Sequence, residues 1–323
     1  MTSAWPWLAL ALAASLVGTG LARAYALRRR LIDLPDDARR NHRVATPRGG
    51  GIAIVIVLCL AATALALRDA AWWPVLAGLV LVGGIGWWDD HRPLPALARL
   101  AVHGVAALLL GASALASGLP VWLCVLAAAA ALVLINIWNF MDGIDGIAAT
   151  QAAVVAGVCG MLAGGAGQAF AFAVVGAALG FLPWNFPKAR IFMGDAGSGA
   201  LGYALAVAWL GTAMHQPPLA WLPLFPLAAF LIDAGLTLST RVLQGERWWE
   251  AHSRHSYQIL SRRLGHHVPV TLLYLGWTVA GAGLVFILRW EAQWMIGALV
   301  VWWVAGMAAW HGLRRKGGTG QGV

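Results

Sequence analysis

Long apolar runs separated by short polar breaks cover most of the chain. They lie near 5–26, 50–67, 71–88, 97–117, 119–138, 147–164, 168–186, 199–214, 219–238, 268–288 and 292–313. A helix crosses the ~30 Å hydrocarbon core in roughly 20 residues, so the pattern predicts about eleven transmembrane helices. The fold class expected is an all-α membrane protein, a polytopic bundle. The segment 33–48 is too charged to span, and the tail 317–323 reads as disordered. Because the runs follow one another with only short breaks, residues 1–316 are expected to form a single integral membrane domain. No fixed-period repeat stands out, and small-residue runs such as 197–211 suit close helix contacts.

Composition agrees with this pattern. Of 323 residues, 60% are hydrophobic and 11% charged, and the mean hydropathy is +0.74, far outside the soluble globular range. Cys59, Cys124 and Cys159 sit inside apolar runs without CxxC spacing, which reads as packing rather than disulfide or metal chemistry.

The net charge of +9 could suggest nucleic acid, but its placement points to a bilayer instead. The first run ends in Arg28-Arg29-Arg30 with no basic residue before it, the reverse of a signal peptide's order. A retained helix with an external N-terminus follows. Eleven alternating spans then put 28–48, 89–96, 139–146, 187–198, 239–267 and the C-terminus in the cytoplasm, leaving only Arg68 and Arg289 outside. Trp72, Trp73, Trp87, Trp88, Trp184, Trp221, Trp290 and Trp294 lie at run ends, as interfacial anchors do.

This topology collects the chemistry on one face. Asp89, Asp90, Asp142, Asp145, Asp195, His252 and His255 all fall at cytoplasmic helix ends. Asn139, Asp142 and Asp145 are spaced by three, so on a helical backbone they fall near one face. Two carboxylates about 4 Å apart repel by roughly 4 kcal/mol at an effective dielectric near 20. A cation between them, or a proton on one, is required. The bland reading of this stretch is a polar loop broken by Gly143 and Gly146.

In Phe192-Met193-Gly194-Asp195-Ala196-Gly197-Ser198, glycines let backbone approach a ligand at what should be a helix N-terminus. Such an end suits anions, and an acid beside it can hold a hard metal against phosphate. Taken alone, that turn speaks more for an N-cap role than for catalysis. Basic groups complete a phosphate chemistry: Arg39, Arg40, His42 and Arg48 in the first polar loop, Arg247, His252, Arg254 and His255 in the last. Their ordinary alternative is contact with anionic headgroups. His252 and His255 lack a third soft ligand nearby, which disfavours zinc. His103 reads as a packing histidine. Asp233 lies inside a span, where a charged acid costs about 3 kcal/mol, so it needs a partner or a proton.

Together, Asn139-Phe-Met-Asp142-Gly-Ile-Asp145-Gly, Phe192-Met-Gly-Asp195-Ala-Gly-Ser198 and Trp87-Trp-Asp89-Asp90 resemble the motifs of the polyprenyl-phosphate N-acetylhexosamine-1-phosphate transferases, glycosyltransferase family 4. Arg39-Arg40-Asn41-His42, Thr46-Pro47-Arg48-Gly49-Gly50 and His252-Ser-Arg-His255-Ser-Tyr257-Gln258 extend the likeness in family order.

The resemblance implies a multi-pass enzyme of the bacterial cytoplasmic (inner) membrane with its active site facing the cytoplasm. It would transfer a sugar 1-phosphate from a UDP-N-acetylhexosamine to undecaprenyl phosphate, releasing UMP, with Mg²⁺ and with Mn²⁺ as a substitute. By the same likeness, Asp89 and Asp90 match the catalytic acidic pair and His252 and His255 the histidine motif. Asp195 goes to the metal, with Asp142. Asn139, Asp142 and Asp145 go to the nucleotide-sugar region, and Arg39, Arg40, His42, Arg48, Ser198 and Arg254 to substrate binding. The histidine spacing departs from the adjacent histidines of the UDP-MurNAc-pentapeptide branch and favours the O-antigen or polysaccharide-initiating branch. No nucleic-acid partner is expected, and a homodimer is compatible with the sequence. The competing class is a transporter of an anionic lipid or sugar phosphate, which would want ionisable groups near the midplane.

Overall fold

The structure, a computed structural model, describes residues 4–33, 45–247, 252–289 and 291–315. Arg39, Arg40, His42, Trp290 and the tail 317–323 lie outside the described residues.

Each apolar run becomes a helix. In chain order these are α1 (Trp5–Arg29), α2 (Ile52–Ala66), α3 (Trp73–His91), α4 (Ala96–Ala116), α5 (Val121–Met141), α6 (Ile147–Leu162), α7 (Gly165–Asn185), α8 (Gly194–His215) and α9 (Leu224–Leu243). A short helix, α10 (Ser256–Leu264), then lies in the last large polar segment, before α11 (Val268–Leu288) and α12 (Ala292–Arg315). Hydropathy did not announce α10, because it carries Arg262 and Arg263 and is apolar on one face only. Two two-residue strands, β1 (Ile32–Asp33) and β2 (Thr46–Pro47), pair antiparallel beneath α1 and bring Arg48 back toward the bundle.

Eight helical segments among the described residues are long and apolar enough to cross a membrane, fewer than the eleven expected. The shortfall has a physical reason. At 15 and 16 residues, α2 and α6 reach only about 22–24 Å. α8 has 22 residues but is rich in Gly and Ala, and it opens five residues earlier than its apolar run, on a polar turn. All three are covered mainly by protein: every residue of α8 from Ala196 to Ala213 is buried, and it packs against α2, α3, α5, α6 and α7. A helix that meets neighbours rather than lipid has no need of a full hydrocarbon-length run. In contrast, α1 turns Leu10, Val17 and Leu21 outward, and α12 leaves one face exposed along its length, with Met295 and Trp310 the residues it buries among those described.

Without a hydrophobic drive between helices in lipid, closeness of packing carries the association. Two glycines set the spacing where it matters for the site. A Cβ on Gly51 of the α2 N-cap would lie 2.3 Å from the Gly197 Cα of α8, and one on Gly86 of α3 would lie 2.5 Å from the Ala196 nitrogen. The main chains of α2 and α3 therefore touch the first turn of α8 directly.

Consecutive helices from α3 to α8 run antiparallel through short connections, so their ends alternate. One end collects the C-termini of α3 and α5, the N-termini of α4 and α8, and α10. The other collects Asp69, Ser113, Ser117, Gly164 and His215 around a separate cavity. The residues expected at the site thus gather at one end of the bundle.

Candidate active site

Two cavities, of about 300 and 230 Å³, open at the first of these ends. They share Asn139, Asp142, Gly143 and Gln258, and so form two lobes of one space. One lobe is walled by Leu97, Arg99, His103, Phe140, His252, His255 and Tyr257. The other is walled by Asp33, Arg48, Asp90, Phe192, Asp195 and Ser198.

The acids divide into engaged and bare. Asp90, at the end of α3, accepts the main-chain N–H of Asp195 at 3.0 Å and of Ala196 at 3.4 Å, so it caps α8 from a neighbouring helix. The first N–H groups of a helix have no partner inside it, and a carboxylate satisfies them well. Gly194 makes this contact possible: its φ is +76°, and a Cβ there would strike the Asp90 carboxylate at 2.5 Å. Arg48 donates to the Asp90 main-chain carbonyl. Asp89 accepts the Leu94 N–H at 2.6 Å and Arg99 at 3.2 Å, and Arg99 also pairs with Asp195. Asn139 donates to Ser198 Oγ at 3.3 Å, tying α5 to α8.

Asp142 is different. It ends α5, and among the described residues its carboxylate takes no hydrogen bond or ion pair. Burial first, then the charges of Asp195, Asp90 and Asp145, push it up to about 8. The bare acid among acids therefore keeps its proton near neutral pH unless a cation is brought to the junction of the lobes.

Asp145 and Arg254 stand apart from the expected substrate role. The Asp145 carboxylate meets His267 Nδ1 at 3.1 Å and accepts the Ala189 N–H at 3.1 Å, while its main-chain oxygen accepts Thr271 Oγ1 at 2.7 Å. It therefore latches the 142–146 turn to the 186–190 loop and to α11, and it lines neither lobe. Arg254 pairs with Glu246, which also binds Arg241 at 2.9 Å, and likewise lines neither lobe. In contrast, His103, read as a packing residue, does reach the cavity wall, where its Nδ1 lies 3.4 Å from Asn136 Oδ1. Arg99 was missed altogether. Its only signal was a basic residue in the first turn of α4, indistinguishable in sequence from ordinary cytoplasmic positive charge.

His252 and His255 lie against each other with tilted rings, their centroids 4.8 Å apart. Burial, followed by His255, Arg241 and Arg254, lowers His252 from its ordinary 6.5 to about 4. The folded protein thus refuses a proton that the unfolded chain accepts. This contribution to stability is complete above about 6.5 and is lost as pH falls toward 4. Thermal melts should therefore fall with pH across that window in the wild type, and His252→Gln should flatten the slope; an unchanged slope would remove His252 as its source.

Comparison with known proteins gives these features a context. A family model described as glycosyl transferase family 4 matches residues 72–213, which span α3 to all but the end of α8 and hold Asp89, Asp90, Asp142 and Asp195. The decaprenyl-phosphate N-acetylglucosaminephosphotransferase of Mycobacterium tuberculosis is 30% identical over 93% of this chain and 86% of its own length. The undecaprenyl-phosphate alpha-N-acetylglucosaminyl 1-phosphate transferase of Thermotoga maritima is 24% identical over 79% of this chain and 81% of its own. The phospho-N-acetylmuramoyl-pentapeptide-transferase of Moorella thermoacetica is 38% identical, but over 52% of this chain and 63% of its own length. With a multi-pass helical bundle, a cavity floored by the matched acids, and a relative aligned almost end to end, the chain belongs to glycosyl transferase family 4.

Proposed function

We propose that this protein transfers an N-acetylhexosamine 1-phosphate from a UDP-sugar to a polyprenyl phosphate, undecaprenyl phosphate in the first instance, and releases UMP. The observation that carries the reading is the two-lobed space that meets at Asn139, Asp142, Gly143 and Gln258. Two phosphorylated substrates need adjoining sites, and phosphoryl transfer depends mainly on positioning and on neutralising clustered charge. The relatives' names point the same way. The histidine spacing and the near-complete alignment with N-acetylglucosaminephosphotransferases favour a polysaccharide-initiating enzyme, as for O-antigen, over the peptidoglycan branch.

The donors fit Mg²⁺, with Mn²⁺ as a substitute. They are hard oxygens: the bare Asp142, Asp195, Asn139 and Ser198. Among the described residues no three His, Cys, Asp or Glu side chains are gathered as a ready metal cage. That suits Mg²⁺, which commonly takes one or two carboxylates plus substrate phosphates and water. Asp142 and Asp195 would hold it, and it would supply charge neutralisation of the phosphates.

Asp89 and Asp90 are already occupied by main-chain N–H groups and Arg99. Carboxylates so engaged make poor nucleophiles. The lipid phosphate, already anionic with a second pKa near 6, attacks the sugar-linked phosphorus directly. A new P–O bond forms as the bond to the bridging oxygen breaks, and UMP leaves with that oxygen. His252 and His255 wall the lobe beside this junction and stay neutral near pH 7, able to donate hydrogen bonds to phosphate oxygens.

The test is UMP release from a panel of UDP-N-acetyl sugars, with and without undecaprenyl phosphate. Release should require both substrates, and labelled UMP should not exchange into UDP-sugar without lipid. Lipid-independent exchange at a rate near turnover would replace direct attack by a covalent route, and no UMP from any sugar would remove the function.

The cytoplasmic face of a bacterial inner membrane is the side that supplies UDP-sugars, and the positive-inside pattern supports it. Arg92→Cys and Ser117→Cys flank α4 at opposite ends, and both positions are exposed. In a background lacking Cys59, Cys124 and Cys159, impermeant thiol reagents should reach position 92 only in inverted vesicles and position 117 only in spheroplasts. Labelling of position 92 from outside would invert the protein.

A further inference from the structure

Asp233 lies on α9 and is only 2% exposed. A buried charge persists only when it is well supplied with donors, and here five converge from four helices. The carboxylate accepts the main-chain N–H of Ser256 at 2.8 Å and of Tyr257 at 3.1 Å, both in the first turn of α10. It also accepts Tyr274 Oη of α11 at 2.7 Å, Trp310 Nε1 of α12 at 3.1 Å, and Thr237 Oγ1 of α9 at 3.3 Å. His255 Nδ1 stands 3.9 Å away.

This carboxylate does for α10 what Asp90 does for α8. It fills the unpaired N–H groups of a helix start and favours its dipole. The helix so fixed carries three walls of the histidine lobe: His255 immediately before it, Tyr257 and Gln258. Tyr257 Oη in turn donates to the Phe140 carbonyl at 3.0 Å, at the end of the helix that delivers Asn139 and Asp142. Arg314 of α12 closes the platform from outside, donating to the Arg254 carbonyl at 3.0 Å.

We propose that Asp233 is a positioning residue for the transfer reaction: by pinning the first turn of α10 it holds His255 and Tyr257 at the cavity wall, although it lines neither lobe itself. The assignment rests on the functional reading above for its link to turnover, but the geometry of the pin does not depend on it. Asparagine cannot replace the acid. Its NH₂ group would face either the Ser256 and Trp310 N–H donors on one side or the Tyr257 N–H and Tyr274 hydroxyl on the other. Only the Tyr274 and Thr237 hydroxyls can turn to accept, so at least one main-chain donor of α10 is orphaned.

The experiment uses the full-length protein in detergent with UDP-GlcNAc, or whichever UDP-sugar the panel selects, and undecaprenyl phosphate. Asp233→Asn should lower kcat by about 10–100-fold, the range for losing a residue that orients a reacting group. Both KM values should stay close to wild type, and hydrogen exchange should quicken over 254–260. In a His255→Ala background the same substitution should cost less than it does in the wild type, because part of its effect passes through that histidine. Full multiplication of the two losses, or unchanged kcat per folded molecule with only a lower melting temperature, would overturn the proposal. Should Asp233→Asn fail to fold, Tyr274→Phe and Trp310→Phe each remove one donor and should give smaller graded losses of kcat with faster exchange over 254–260; wild-type kcat and exchange in both would overturn it. Absence of UMP release by the wild type would remove the functional reading alone, and the exchange measurement would still decide whether Asp233 pins α10.

Discussion

Asp142→Asn is expected to lower UMP release by roughly 10²–10³-fold, the cost of losing one group aimed at developing charge. The fold should stay intact. The carboxylate has no protein partner among the described residues, so the substitution breaks no hydrogen bond. Because the carboxyl is pushed up to about 8 without metal, it is already largely neutral near pH 7, so the uncharged amide should leave the variant about as stable as the metal-free wild type. A readout independent of turnover separates a charge role from a shape role. Mg²⁺ should raise the wild-type melting temperature, by the equivalent of about 2.7 kcal/mol at a hundredfold excess over Kd, and should leave the variant where it was. Near-normal activity together with an undiminished Mg²⁺ shift would take Asp142 out of the site.

Gly86→Ala is expected to do almost as much damage without touching a reactive group. Its new Cβ would sit 2.5 Å from the Ala196 nitrogen and the Asp195 carbonyl carbon, main-chain atoms that cannot swing aside. Overpacking of this kind costs about 1–3 kcal/mol of stability. The displaced element is the first turn of α8, which carries Asp195 and receives the Asp90 cap. Positional errors near 1 Å can cost on the order of 10²-fold in rate, so activity should fall much further than the melting temperature. Gly84→Ala on the same helix supplies the control, because nothing lies within 4 Å of its Cβ. Equal behaviour of the two variants would refute the argument.

The helices were legible because a bilayer demands continuous apolar runs, and each of those runs became a helix. Asn139, Asp142 and Asp195 were legible as polar groups placed where hydrocarbon ends, and the structure brings them to one space. What escaped depends on contacts remote in sequence. Nothing local marks Asp145 as the partner of His267, or Arg254 as the partner of Glu246, although both were expected at substrate. Arg99 was concealed by the positive-inside rule, since any arginine on the side expected to face the cytoplasm satisfies it. The helix α10 was hidden by its polarity, and Asp233 could be seen to need partners but not to receive them from α10, α11 and α12.

The buried position of α8 bears on how the protein is made. Its packing partners α2, α3, α5, α6 and α7 all precede it in the chain. A ribosome feeding the membrane has therefore already delivered most of the receiving surface when α8 emerges. This helix, too rich in glycine and alanine to count among the long apolar ones, can pass from the translocation machinery into protein rather than into lipid. Its order of synthesis supplies what its hydropathy lacks, so moving α8 ahead of those partners by circular permutation should strand it outside the membrane even though each contact in the finished fold is unchanged.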